Sequence, residues 1–255
     1  MSIELQVNPA GNRSLNRSLD THAGIISDLK VQHVVQNVFW RRGDREGMAA
    51  TGTIAAAFGL SGPAASMAMM SAEEMEERVA WVEFRLGAIK VKAMLWNWPF
   101  LEGDDVRVVG RHEDDGNFFA LSVLQEQSRL IVSYPHVSAG TWAHWMTVAK
   151  YSLMFSVPWC ALVIGFFWLV QLKDSIGRNE GGSVLVAQAY LVCVLLFCFI
   201  GYRMGRRFTR FAKMADAIFQ TLGWPNAKRI NLRRITKQKR QPGDHPALGD
   251  TYFRY

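Results

Sequence analysis

Cysteine is scarce in this 255-residue chain. The three present, Cys160, Cys193 and Cys198, all lie inside apolar runs, and none stands in a CxxC or zinc-ligand spacing. A disulfide framework and a sequence-encoded zinc site are therefore not expected, and all three read as small apolar packing residues. A phosphate loop is absent too, because no Lys-Ser/Thr pair follows Gly59, Ser61 and Gly62. No basic start leads into an apolar core near Met1, so no signal peptide is expected, and export of any part would need the apolar helices or a dedicated machine. Nor does any spacing bring a nucleophile, a base and a charge stabiliser together, so the chain reads as a non-enzyme without a cofactor. Acidic residues thin out towards one end. Residues 203–255 carry 13 Lys/Arg against three Asp/Glu, whereas 1–150 carry 14 against 17, so the net +7 resides in the tail. A basic block abutting an apolar helix marks a cytoplasmic membrane flank, which favours lipid over nucleic acid as the partner.

What the chain does have is apolar length. Residues 151–172 and 181–202 are each 22 residues without a charge, enough at about 1.5 Å per residue to cross a hydrocarbon core of roughly 30 Å. Helices apolar all round would otherwise need a large protein to bury them, and too little chain remains for that. The stretch 173–182 carries three glycines and allows only a reversal, so two antiparallel transmembrane helices are expected. Arg203, Arg206, Arg207, Arg210 and Lys213 follow the second span and hold that end inside. Trp142, Trp145 and Trp168, with Tyr151, are placed where aromatic rings settle at the two interfaces. Pro158 and Gln188 read as helix-packing features. Beyond the second span, Phe208, Phe211, Ala215, Phe219 and Leu222 recur at helical spacing. They predict a basic amphipathic helix, its apolar face in the lipid boundary or against the β domain, its cations near anionic headgroups. The seven cations of residues 228–240 then form a lipid-facing strap or a solvated tail.

Ahead of the spans, short alternating runs separated by Gly/Asp turns predict strands at 79–86, 89–95, 106–110, 118–124 and 130–134, with an earlier one at 30–39. They make a small antiparallel sheet or barrel, SH3-like or of the oligonucleotide-binding type. Residues 47–72 are uncharged and hold nine alanines. They read as a hairpin of two short helices broken at Gly62-Pro63, with a third span as the alternative. His112-Glu113-Asp114-Asp115 offers metal-ligand types but reads as a hairpin turn with solvated acids. His136, after the last strand and before the first span, is a candidate pH-sensitive or catalytic group, against the plainer reading of a satisfied linker histidine.

The expected fold class is thus an α+β membrane protein. Its parts are a flexible N-terminus 1–28, a β-rich cytoplasmic domain 29–140 with a helical insertion at 47–78, a hairpin 141–202 and a basic helix and tail 203–255. The localisation implied is the bacterial inner membrane, multi-pass, with both termini cytoplasmic.

Several motifs carry a family resemblance. They are Met48-Ala49-Ala50-Thr51-Gly52, the acidic run Glu73 to Glu77, Leu95-Trp96-Asn97-Trp98-Pro99-Phe100-Leu101-Glu102-Gly103-Asp104 and Tyr134-Pro135-His136. To these are added the helix pair, Leu222-Gly223-Trp224-Pro225-Asn226 and the terminal Tyr252-Phe253-Arg254-Tyr255. Together they resemble a family of Gram-negative membrane proteins labelled type VI secretion system effector. The likeness covers nearly the whole chain after residue 28, although Ser138-Ala139-Gly140 lacks the arginine expected before that glycine. It implies a non-enzymatic effector acting on membranes, alone or as a homo-oligomer. The alternative is a resident accessory or immunity protein that binds a toxin or secretion subunit through the β domain. No catalytic residue carries over.

Overall fold

The structure, a computed structural model, describes residues 19–36, 77–173 and 180–255. The Ala/Gly-rich stretch 47–72, with both of its readings, lies outside the described residues. The chain forms two compact units that divide between Pro135 and His136.

The first unit is a closed five-stranded barrel. Strands β1 (Asp20–Gln36), β2 (Glu77–Leu86), β3 (Ile89–Leu95), β4 (Asp105–His112) and β5 (Phe118–Gln125) are joined by β6 (Leu130–Ser133). The ring runs β1-β2-β3-β5-β4 and back to β1, closed by a parallel contact of β3 with β5. One edge of β5 is shared, with Phe118, Phe119 and Ala120 opposite β3 and residues 122–125 opposite β6. Alternation fills the interior: Val82, Phe84 and Leu86 of β2 are buried with Val91, Ala93 and Leu95 of β3, Val106 and Val108 of β4, and Phe118 and Ala120 of β5. Burying such side chains stabilises the fold by about 1.5–3 kcal/mol each.

Two glycines make the ring possible. Gly87 has φ 59° and opens the two-residue turn between β2 and β3, where a positive φ matches the strand twist. Gly110 lies at a register shift between β4 and β5. A Cβ there would collide with the Phe119 carbonyl oxygen and approach the Ala120 Cα to 2.8 Å, so only glycine lets the strands close at the bulge.

The strand expected from Lys30 begins ten residues earlier, at Asp20, so residues 20–28 belong to the barrel and not to a flexible N-terminus. Hydrophobicity could not reveal this, because Ile26 is its only buried residue among those described. The strand is held by ladders on both sides instead. Val31 pairs with Val82 of β2, while the Ile26 N–H donates to the Asp104 carbonyl at 2.9 Å and the Gly103 N–H to the Ile26 carbonyl at 2.9 Å. Residues 95–104, the longest resemblance motif, are the β3–β4 connection. Trp98 packs between Phe84 and Phe100, and Glu102 accepts the Asp28 N–H at 2.8 Å.

The second unit is built on two long helices, α1 (Thr141–Lys173) and α2 (Glu180–Thr221), of 33 and 42 residues. It continues through a 3-10 turn (Ala227–Arg229), helix α3 (Leu232–Lys239) and the extended pair Phe253–Arg254 (β7). At about 1.5 Å per residue the helices measure ~50 and ~63 Å, so each outruns a bilayer core by several turns. Residues 136–140, assigned from sequence to the β domain, belong with the helices. The Gly140 N–H donates to the Ile230 carbonyl and the Leu232 N–H to the Ser138 carbonyl, both at 2.9 Å.

Candidate membrane-anchoring site

The charge-free runs lie within α1 and α2, and these two helices are long and apolar enough to cross a membrane. In the most apolar window of α2 no residue is buried. Leu162, Leu185 and Val192 expose 65, 67 and 65% of their surfaces. A water-soluble protein rarely leaves so continuous an apolar surface bare.

The faces turned towards each other are of a different kind. Val148, Ser152, Ser156 and Cys160 line α1 at four-residue spacing, opposite Gly205, Gly201, Cys198 and Cys193 of α2 in turn. A Cβ on Gly201 would collide with the Ser152 hydroxyl, and one on Gly205 would sit 2.9 Å from Val148 and 3.3 Å from the Trp145 ring. Ser156 Oγ and Cys198 Sγ are 3.9 Å apart, and Cys160 Sγ and Cys193 Sγ 3.1 Å. Helices that cannot gain from expelling water associate through such small residues, which let the backbones approach. Sequence reasoning missed this seam, although Gly201-Tyr202-Arg203-Met204-Gly205 is a GxxxG motif that announces it. The cysteines do pack as small residues, as expected.

Below the seam the hairpin is clamped. Asp216, 8% exposed, accepts the Thr141 N–H at 2.9 Å and the Thr141 hydroxyl at 2.6 Å. Helix α1 has no acid in its first turn, so its unpaired N–H groups and positive dipole end are met from α2 instead. The adjoining Gly140 is needed for the same approach, since a Cβ would lie 2.5 Å from the Ala227 carbonyl oxygen and 2.7 Å from Asp216.

The aromatic and cationic residues picked out from sequence divide between two roles. Trp142 is exposed, and the Arg229 guanidinium lies 5.9 Å from its ring, which brings a tail cation to the start of α1. Trp145 is half-buried, stacked on Tyr202 at 5.4 Å, and belongs to the seam. Trp168 lies in α1, with its side chain outside the described residues. Arg203, Arg206, Arg207, Arg210 and Lys213 are all exposed along α2. Arg210 also lies 4.9 Å from the Phe211 ring.

The apolar stripe beside those cations does not face outward. Phe211, Ala212, Ala215, Ile218 and Phe219 are buried in protein. His136 packs against Phe208 and Phe211 with ring centres 6.0 and 5.4 Å apart, and Trp224 stacks on Phe219 at 5.4 Å. The expectation of a lipid-immersed face on this segment is therefore corrected: periodicity found the stripe, but protein covers it.

The tail is folded as well. Arg254 makes a two-pronged pair with Asp244 at 2.8 and 2.9 Å, and its guanidinium holds the Asp244 carboxyl below the usual aspartate range. Thr236 Oγ1 accepts the Arg254 N–H at 2.9 Å. Phe253 and Leu232 are fully buried, and Tyr255 meets Trp224 at 4.9 Å. The seven cations of 228–240 nonetheless remain exposed.

His136 has φ 66°, a left-handed conformation uncommon outside glycine. Its ring packing against Phe208 and Phe211 gives it a structural place at the entry to the helical unit.

Family models, curated proteins and solved structures give no match to this chain. The likeness to secretion-associated membrane proteins therefore stands on the motifs alone. Those for which the structure shows contacts are structural: the β3–β4 loop, the Trp224 turn and the C-terminal tetrapeptide.

Proposed function

We propose that this chain is an integral protein of the bacterial inner membrane, crossing it twice through α1 and α2 with both ends on the cytoplasmic side. Its work there is to hold the barrel at the membrane surface as a binding module. The observation that carries this reading is the base of the hairpin. Asp216 and the folded tail stiffen it, while the exposed cations of α2 and α3 stay available to anionic headgroups. A juxtamembrane Lys or Arg contributes about 1 kcal/mol near such a surface. Barrel and α1 are joined by the short segment 136–140.

Of the two barrel types expected from sequence, the five-stranded ring supports the oligonucleotide-binding type, a likeness that by itself gives no function. Its wall does not favour nucleic acid. Lys90 and Lys92 are matched by Glu83 at 3.4 Å and Asp115 at 3.3 Å, so they form no track for phosphates.

The association with type VI secretion rests on the sequence resemblance. Within it, the resident accessory or immunity role is better supported than the leak-forming effector. The described outer faces of the helices are mainly apolar, and Gln188 is the sole amide in the second run, too little to line an aqueous path without an oligomer. Reporter fusions at residues 177 and 255 test the topology, with an external 177 and a cytoplasmic 255 expected; an external 255 overturns it. Expression with and without residues 151–202, while membrane potential is followed, separates the two roles. Unchanged potential supports the resident protein, and depolarisation that needs those residues supports the effector.

A further inference from the structure

Two histidines 90 residues apart in sequence meet on the barrel. His22 lies near the start of β1 and His112 ends β4, two strands that are neighbours in the ring. Their Nε2 atoms are 3.2 Å apart, with ring centres 5.2 Å apart and planes at 82°. Phe118, fully buried, packs edge-on against both rings at 4.7 and 5.1 Å, which fixes the aim of the pair from beneath. His22 is half-buried and His112 exposed, so solvent reaches the nitrogens.

Such a pair has two uses. Neutral imidazoles can share one proton between the facing nitrogens, or a metal ion can take the place of that proton. The distances suit the ion. Two imidazole nitrogens each about 2.0–2.1 Å from a tetrahedral ion stand ~3.3 Å apart, with ring centres ~5.2 Å apart. We infer that His22 and His112 form a two-imidazole site for a divalent transition-metal ion of the zinc class, which staples β1 to β4.

Chemistry and topology both bear on the site. Imidazole selects Zn²⁺, Ni²⁺ and Cu²⁺ over the oxygen-seeking Mg²⁺ and Ca²⁺. Among the described residues no group of three His, Cys, Asp or Glu gathers to hold an ion, so water completes the coordination shell and the site is open and exchangeable. Of the acids that follow His112, Asp115 is engaged elsewhere. Asp115 accepts the Asn117 N–H at 3.1 Å and pairs with Lys92 at 3.3 Å, which shapes the β4–β5 turn. The consequence is mechanical: β1 puts Ile26 alone into the core among its described residues, so an added crosslink to β4 strengthens the most weakly buried part of the ring.

The test uses the full chain in detergent, carrying no polyhistidine tag, titrated with ZnCl₂ at neutral pH by calorimetry and thermal melting. We expect saturable one-to-one binding and a rise in melting temperature, with no response to MgCl₂. His22→Ala and His112→Ala should each weaken binding by about tenfold or more, while His33→Ala, exposed further along β1, binds as the unaltered chain does. A reading that needs no substitution is histidine modification by diethylpyrocarbonate, mapped with and without zinc. Protection should fall on His22 and His112 and not on His33. Absence of saturable binding, equal affinity in the unaltered chain and the His22 or His112 variants, or zinc protection elsewhere alone overturns the site and leaves a pair that only shares a proton.

Discussion

Asp216 of α2 caps the first turn of α1 by accepting both the N–H and the hydroxyl of Thr141, at 2.9 and 2.6 Å. The two residues are 75 apart in sequence, and the contact fixes where the helices meet at the base of the hairpin. Thr141→Val leaves a buried carboxylate oxygen without its O–H donor and should cost about 1–3 kcal/mol. Asp216→Ala removes both bonds and should cost at least as much, because the helix N-terminus then loses its cap. The two substitutions share one interaction, so the double variant should be no worse than the harsher single one. Unfolding of all three in mild detergent measures this, and strict additivity would remove the cap from the account.

The helix seam should tolerate no added bulk at Gly201. Gly201→Val forces the backbones apart against Ser152 and should cost about 1–3 kcal/mol or more. Cys160 and Cys193 provide a native reporter, with sulfurs 3.1 Å apart. Mild oxidation should link them readily in the unaltered chain, as read by peptide mass after proteolysis. The link should form poorly in Gly201→Val, whereas Leu185→Val, on the exposed face of α2, should leave the yield unchanged.

Anchoring by the cations of α2 has a magnitude that can be checked. Replacing Arg203, Arg206, Arg207 and Arg210 with Gln removes about 4 kcal/mol of headgroup attraction if each contributes ~1 kcal/mol. Retention of anionic lipid by the purified protein should then fall by about a thousandfold in affinity and lose most of its salt dependence. The same number of substitutions among Arg233, Arg234, Lys237 and Lys239 of α3 gives the comparison that ranks the two cationic surfaces.

The tail should respond to acid. Arg254 and the Gln241 N–H hold the Asp244 carboxyl below the usual aspartate range. A depressed carboxylate contributes stability that is present above the ordinary aspartate pKa and is lost as pH falls through the lowered value. Protection of residues 232–255 against hydrogen exchange, corrected for the intrinsic pH dependence of exchange, should therefore hold above the ordinary aspartate range and fall progressively below it. In Asp244→Asn the same protection should already be lower at neutral pH and should change little with acid.

Much of the barrel could be read from sequence. Strand β3 runs from Ile89 to Leu95, as its alternation and the Gly87 turn imply, and β2 and β5 differ from expectation by at most two residues at an end. Strand β1 was half hidden because its residues earn their places through backbone pairing and not through burial. The cationic residues of the candidate site were picked out by type, and the structure leaves them exposed. Their apolar neighbours were found by period and left open in partner, since a stripe at Phe211, Ala215 and Phe219 looks the same whether lipid or protein covers it.

The sequence by itself determined two charge-free runs long enough to cross a membrane, the sign of the charge behind them and the turns that cut the barrel into strands. These are local properties, set by neighbours along the chain. Only the tertiary structure decided that Gly201 receives Ser152, that Asp216 caps Thr141, that Trp224 covers Phe219 and that His22 faces His112. All but the Trp224–Phe219 contact join residues remote in sequence, and hydrophobic period specifies which face must be covered without specifying what covers it.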